Sequence, residues 1–162
     1  MCLLDCQKIK CNNPVYVYKM LRVVDTKPFS PYQDFEWKEG ETMDTGYTSE
    51  DFGGRKFIKE IYDGFFHSFK HKESTLLLLN DFFFRPEDCS FAVGKFEIPA
   101  GSTVYEGTYC IVLHDGSFCK MKSYASNRLK FLEALGANGC RICLSKGVIY
   151  LGSGENCLSM PT

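Results

Sequence analysis

The chain lacks an excess of positive charge: nineteen Lys and Arg stand against twenty Asp and Glu in 162 residues, a formal net charge of −1. No overall field draws such a protein onto a nucleic-acid backbone or an anionic bilayer, so general nucleic-acid binding is not expected and any anion site has to be built locally. Long apolar stretches are missing as well. The leucine run at residues 76–79 falls far short of the roughly 20 residues a membrane-crossing helix needs, so no membrane partner is expected. The opening MCLLDCQKIKCNNP has no basic segment followed by an apolar one, and an unsecreted, cytoplasmic protein is expected. Nor is there a familiar nucleophile, zinc-protease or phosphate-loop motif. GSGEN at residues 152–156 lacks the lysine that a phosphate loop uses, and only His67, His71 and His114 are available as imidazole bases.

What is present is apolar and aromatic. At 44% hydrophobic and 15% aromatic residues, the chain is long enough to bury one core, and one domain is expected over residues 15–151. Residues 1–14 read as a polar N-terminal arm and residues 152–162 as a flexible tail. Nine cysteines are many for this length. Without a secretion signal they read as reduced thiols rather than disulfides. A zinc set from Cys6, Cys11, Cys140 and Cys143 is the sharper alternative, but Cys-Arg-Ile-Cys-Leu alternates as a strand does and would send Cys140 and Cys143 to opposite faces. Neither a metal site nor a cofactor is therefore expected.

Along the chain, VYVYKMLRVV at residues 15–24 is the strongest strand signal, and Asp115-Gly116 the strongest hairpin signal. Residues 37–54 read as a loop, and residues 34–51 hold seven acids and one lysine. FIKEIY at residues 57–62 spaces its apolar residues as one face of a helix that Asp63-Gly64 would end. A second helix is expected to start near Ser68 as its cap and to carry the leucine run. From Ser90 onward short extended segments alternate with glycine, although RLKFLEAL at residues 128–135 fits a helix as well. The expected fold is α+β: a mainly antiparallel sheet with two short helices packed on it.

Four stretches could carry chemistry. GFFHSFKH offers His67 among phenylalanines, with Ser68 and Lys70 at an expected helix start where free N–H groups would favour an anion. IPAGSTVYEG delivers Ser102 and Tyr105 from a tight turn. KMKSYASNRLK concentrates bases around Tyr124, Ser126, Asn127 and Arg128, a set able to pair with phosphate and stack on a ring. Lys19 and Arg22 lie on the first long strand, three positions apart, so a regular strand sends them to opposite faces. Each stretch also has a plain structural reading, as core histidine, strand connection or solvated edge. No catalytic group stands out.

The order GFFHSF, IPAGSTVYEG, SYASNRL, after VYKMLRVV and SPYQ, resembles a group of short proteins from gut bacteria and their phages. These carry GFHSF-like, IPxGSxYYxG and YAS segments over a span corresponding to residues 15–130. This chain departs from the pattern in its doubled phenylalanine, Phe65-Phe66, and in Val104, where the pattern has tyrosine. The resemblance implies a phage setting inside a bacterial host. Three readings follow. The first is a non-catalytic, homo-oligomeric protein that sequesters a phosphate-bearing nucleotide signal. The second is an ADP-ribosyltransferase-like enzyme using Arg22 and either Glu106 or Glu133. The third is an inhibitor that presents its acidic loop to a host protein.

Overall fold

Alternating β-branched and aromatic residues make extended chain the cheapest way to bury one side of a segment and solvate the other. The computed structural model describes residues 3–31, 34–52, 57–61, 64–81, 90–113, 115–135 and 141–142. Among these it places eleven strands: β1 (Leu3–Ile9), β2 (Val15–Val24), β3 (Lys27–Phe29), β4 (Thr42–Asp44), β5 (Phe57–Ile61), β6 (Phe66–Phe69), β7 (Ser90–Ile98), β8 (Val104–Val112), β9 (Phe118–Ser126), β10 (Arg128–Leu135) and β11 (Arg141–Ile142). One helix, α1 (Lys72–Asp81), and a 3-10 turn at Ser49–Phe52 complete them. The sheet runs β11-β10-β7-β2-β6-β9-β8-β1-β5, with β3 on β2 and β4 on β10, and its pairings are antiparallel.

One residue shows how far this sheet curls. Asn127 alone separates β9 from β10, although β6, β2 and β7 lie between those strands in the sheet. A one-residue link spans about 7 Å, whereas four inter-strand steps of a flat sheet take about 19 Å. The sheet therefore coils until the end of β9 meets the start of β10. Its concave side holds the main core: Val17, Leu21, Ala92, Phe96, Ile98, Val104, Leu129 and Phe131 surround Trp37, which is 1% exposed. Trp37 packs edge-on against both Phe35 and Phe96, with ring centroids 4.8 Å apart in each case. Such pairs each add about 0.5–1.5 kcal/mol beyond area burial.

The convex side is covered by α1. Leu79 packs with Met20, Phe91, Val93 and Leu135, while Leu77 and Leu78 reach the cluster of Phe69, Ile111 and Met121. No helix of the described residues is long and apolar enough to cross a membrane.

The mainly antiparallel sheet is present, but among the described residues one α-helix stands where two were expected. Residues 57–61 form β5, because four of them pair with β1, whose outer edge supplies hydrogen-bond partners that an isolated five-residue helix would lack. Ser68 lies inside β6, paired with Tyr124, and α1 begins at Lys72, so Ser68 caps no helix. Residues 3–9 of the expected arm are β1, a paired strand of the sheet. The loop over residues 37–54 contains β4 and the 3-10 turn. The segment 128–135, open to either structure, is β10, and Asp115-Gly116 lies in the turn joining β8 to β9. The tail at 152–162, together with Cys140 and Cys143, lies outside the described residues.

Candidate functional site

Residues directly opposite one another in an antiparallel ladder point to the same face. The register thus defines one row across the concave side. Gly94 of β7 faces Lys19 of β2. One step from the Tyr18–Phe69 pair, Lys19 meets Ser68 of β6; Ser68 faces Tyr124 of β9, Tyr124 faces Glu106 of β8, and Glu106 faces Gln7 of β1. Lys19, Ser68, Tyr124, Glu106 and Gln7 are all polar. They cross a face that is otherwise the main apolar core.

The inner end of this row is dry. Lys19 is 9% exposed and sits on the same face as Val17 and Leu21. Its Nζ donates to the main-chain carbonyl of His67 at 2.9 Å, and it has no carboxylate partner among the described residues. Among the described residues β2 and β6 pair only at Tyr18–Phe69, and one step away the ammonium bonds the β6 main chain. Burial lowers Lys19 from its ordinary value to about 8. The space across from it is not filled by a counter-charge. Gly94 has no side chain, and a Cβ there would come 2.5 Å from the Phe96 ring and 2.9 Å from Leu21. Ser68 is fully buried, and its Oγ has no hydrogen-bond partner. Burial, followed by the charge and hydrogen bond of Glu106, pushes Tyr124 up to about 12, so its phenol stays protonated.

The outer end of the row opens into a cleft of about 360 Å³ whose walls include Asp5, Gln7, Glu106, Thr108, Lys120 and Lys122. A bulge shapes the β1 wall: between the pairs Leu4–Thr108 and Gln7–Glu106, Asp5 and Cys6 together face Gly107. Asp5 adopts φ 50°, which turns its carboxylate to the cleft rim, while Cys6 packs against the convex side with Leu3, Phe65 and Tyr105. Gly107 makes this possible, since a Cβ there would lie 2.5 Å from the Leu4 carbonyl oxygen. Lys122 pairs with Glu106 at 2.9 Å and largely cancels it. Asp5 on one wall and Lys120 on the other have no ion-pair partner among the described residues.

Of the residues singled out in the sequence, the fold brings Lys19, Ser68 and Tyr124 into this row and disperses the others. His67 faces the convex side between Phe65 and Phe69, with neither ring nitrogen partnered; burial, then the Lys19 charge, lowers it to about 3, and it is neutral at ordinary pH. Tyr105, fully buried, meets the Phe65 ring edge-on at 5.9 Å. Lys70 is exposed just past β6, its amide bonded to the Lys122 carbonyl at 3.0 Å. Arg22 pairs with Asp34 at 2.8 Å and lies over the Phe29 ring. The β2–β7 ladder runs unbroken from Val15 to Val23, so Arg22 and Lys19 occupy opposite faces, and Arg22 cannot join Glu106.

Ser102, Ser126, Asn127 and Arg128 are occupied with main chain. Ser102 Oγ donates to Pro99, Ser126 Oγ to the Arg128 carbonyl, and Arg128 to Ala100, while Asn127 Oδ1 accepts from the Thr103 amide. The acidic segment is similarly used. Asp34 and Glu36 are ion-paired, and Asp44 and Asp51 accept from nearby amides. Cys6 and Cys11 sit in clusters on opposite faces, which separates two of the four thiols of the zinc alternative.

Sequence reasoning passed over Asp5, Gln7, Thr108, Lys120 and Lys122 as individual residues. A signal for two of them was there: Lys120, Lys122 and Tyr124 recur at period two, which puts them on one face of any strand. Asp5 had no such signal, because a bulge alone brings it round. Compared with protein-family models, curated proteins and solved structures, the chain matches none.

Proposed function

We propose that this chain is a non-catalytic binding protein that holds a phosphate-bearing small molecule on its concave polar row and cleft. The observation that carries the reading is Lys19: a buried ammonium without a carboxylate partner, opposite a serine hydroxyl that also lacks one, on a row that opens into a cleft holding a second unpaired lysine. Taking an ammonium out of water costs several kcal/mol, and an arrangement that leaves it uncompensated favours an anion as the missing partner. The groups on offer are donors rather than nucleophiles. Tyr124 is held protonated, the nearest histidine faces the other side, and Ser68 Oγ makes no hydrogen bond to Lys19, whose ammonium is turned to the His67 carbonyl. Fixed donors without an activated nucleophile suit capture better than turnover.

The resemblance to proteins of gut bacteria and their phages gives capture a purpose, counter-defence by sequestration of a nucleotide signal in the host cytoplasm. A second copy of the chain over the open cleft would enclose the ligand, so a homo-oligomer belongs to the same proposal. Calorimetry against a panel of nucleoside phosphates tests it. Micromolar binding, weakened about tenfold or more in Lys120→Ala/Lys122→Ala, is the expected result. An unresponsive panel, including inorganic pyrophosphate, overturns it.

A further inference from the structure

The β8–β9 hairpin carries the cleft's lysines and, on the same face, a feature that binding of phosphate alone does not use. Phe118 is 77% exposed and Val112, its partner across the ladder, 56%. The register continues from this pair through Lys120–Cys110 and Lys122–Thr108 to Tyr124–Glu106. Phe118, Lys120 and Lys122 therefore stand in one column, successive members about 6.7 Å apart along the strand. An aromatic ring left in water on the same strand face as the cleft's Lys120 and two residues from it is the arrangement that takes a flat heterocycle next to a phosphate. Asp5 stands on the opposite wall, level with Lys122 and at the end of the column away from the ring.

We infer that the ligand is a single free nucleotide, its base stacked on Phe118 and its phosphates on Lys120 and Lys122. The inference rests on the phosphate-binding reading above and names the ligand class of that site. Three observations select a free nucleotide over a strand. The cleft that holds the two lysines, about 360 Å³, is at the small end of ligand pockets and suits the phosphates of one nucleotide rather than a strand. Asp5, without an ion-pair partner among the described residues and level with Lys122, repels a phosphate backbone that continues past the lysines. The chain as a whole, at −1, gives a polyanion no long-range attraction.

The test is calorimetry on the full chain with each of the four common ribonucleoside 5′-diphosphates, their free nucleosides, pyrophosphate and a ten-nucleotide single strand. At least one diphosphate is expected to bind about tenfold more tightly than both pyrophosphate and its own nucleoside. Phe118→Ala, a surface change expected to leave the melting temperature alone, should weaken that diphosphate about fivefold or more and leave pyrophosphate unchanged. Lys120→Ala should weaken both. If pyrophosphate binds as well as every diphosphate, or Phe118→Ala has no effect, the nucleotide is wrong while phosphate binding stands. If the strand binds more tightly than any free nucleotide, the single-nucleotide assignment is overturned. If neither pyrophosphate nor any diphosphate binds, both readings fall together.

Discussion

Lys19 and His67 meet through one main-chain carbonyl but face opposite sides of the sheet, and burial acts on both in the same direction. His67, lowered to about 3 from 6.5, takes up its proton later in the folded chain than in the unfolded one. Its contribution is therefore complete above about pH 6.5 and is lost as pH falls toward 3. At about 1.4 kcal/mol per unit, the protein should lose about 3 kcal/mol more between pH 7 and pH 4 than His67→Leu does, measured as urea midpoints. Equal acid slopes would show that His67 is not held neutral. For Lys19, at about 8 against 10.5, the unfolded chain keeps a proton that the folded chain has shed, so stability rises between about pH 8 and pH 10.5. Lys19→Met keeps the stem and removes the penalised ammonium. It gives up one hydrogen bond worth about 1 kcal/mol. The variant should be about 1–2 kcal/mol more stable at pH 7, lack the alkaline rise in thermal melts, and bind ligand less well. Lower stability than the parent would mean that Lys19 is a structural strut and that its burial implies no ligand.

The bulge in β1 is the element that builds the cleft, and it depends on the absence of a side chain at Gly107. Gly107→Ala would press a Cβ against the Leu4 carbonyl, which cannot retreat without breaking the β1–β8 ladder. The expected cost is about 2–3 kcal/mol by chemical denaturation. Gly116→Ala is the contrast: its φ of +81° is unfavourable, but nothing lies within 4 Å, so about 1 kcal/mol is expected. Elements defined by local pattern were legible in the sequence. Residues 15–24 are β2, and the Asp-Gly turn joins β8 to β9. Elements defined by a distant partner were not. FIKEIY carries a helical spacing, but its backbone bonds are satisfied by β1, some fifty residues earlier, and Ser68 resembles a cap only until β9 pairs with it. The same division runs through the site. Lys120, Lys122 and Tyr124 share a strand face that period two reveals, whereas their juxtaposition with Lys19, Ser68 and Asp5 exists only once five strands are in register.

At the scale of the whole molecule the sheet closes into a coil, and Asn127 is where that coil is fastened. Its Oδ1 accepts from the Thr103 amide at 2.9 Å, its Nδ2 donates to the Tyr47 carbonyl at 2.9 Å, and its own main chain bonds to Thr103 and Thr45. One side chain thus ties the β9–β10 corner to the β7–β8 connection and to the segment after β4. Asn127→Ala leaves two main-chain groups without partners and should cost about 2 kcal/mol. Asn127→Asp keeps the acceptor for Thr103 and should cost about half of that. Amide exchange at Thr103 would report the same order. The cleft lies at the other end of β9, seven residues or about 23 Å away at Lys120, and changes so far apart, sharing no partner, act independently. Asn127→Ala should therefore lower the denaturation midpoint with little change in ligand affinity. Lys120→Ala should do the reverse, and the double variant should show the two effects added. Affinity that falls with Asn127→Ala in proportion to stability would mean that the coil itself, rather than the β8–β9 face, forms the site.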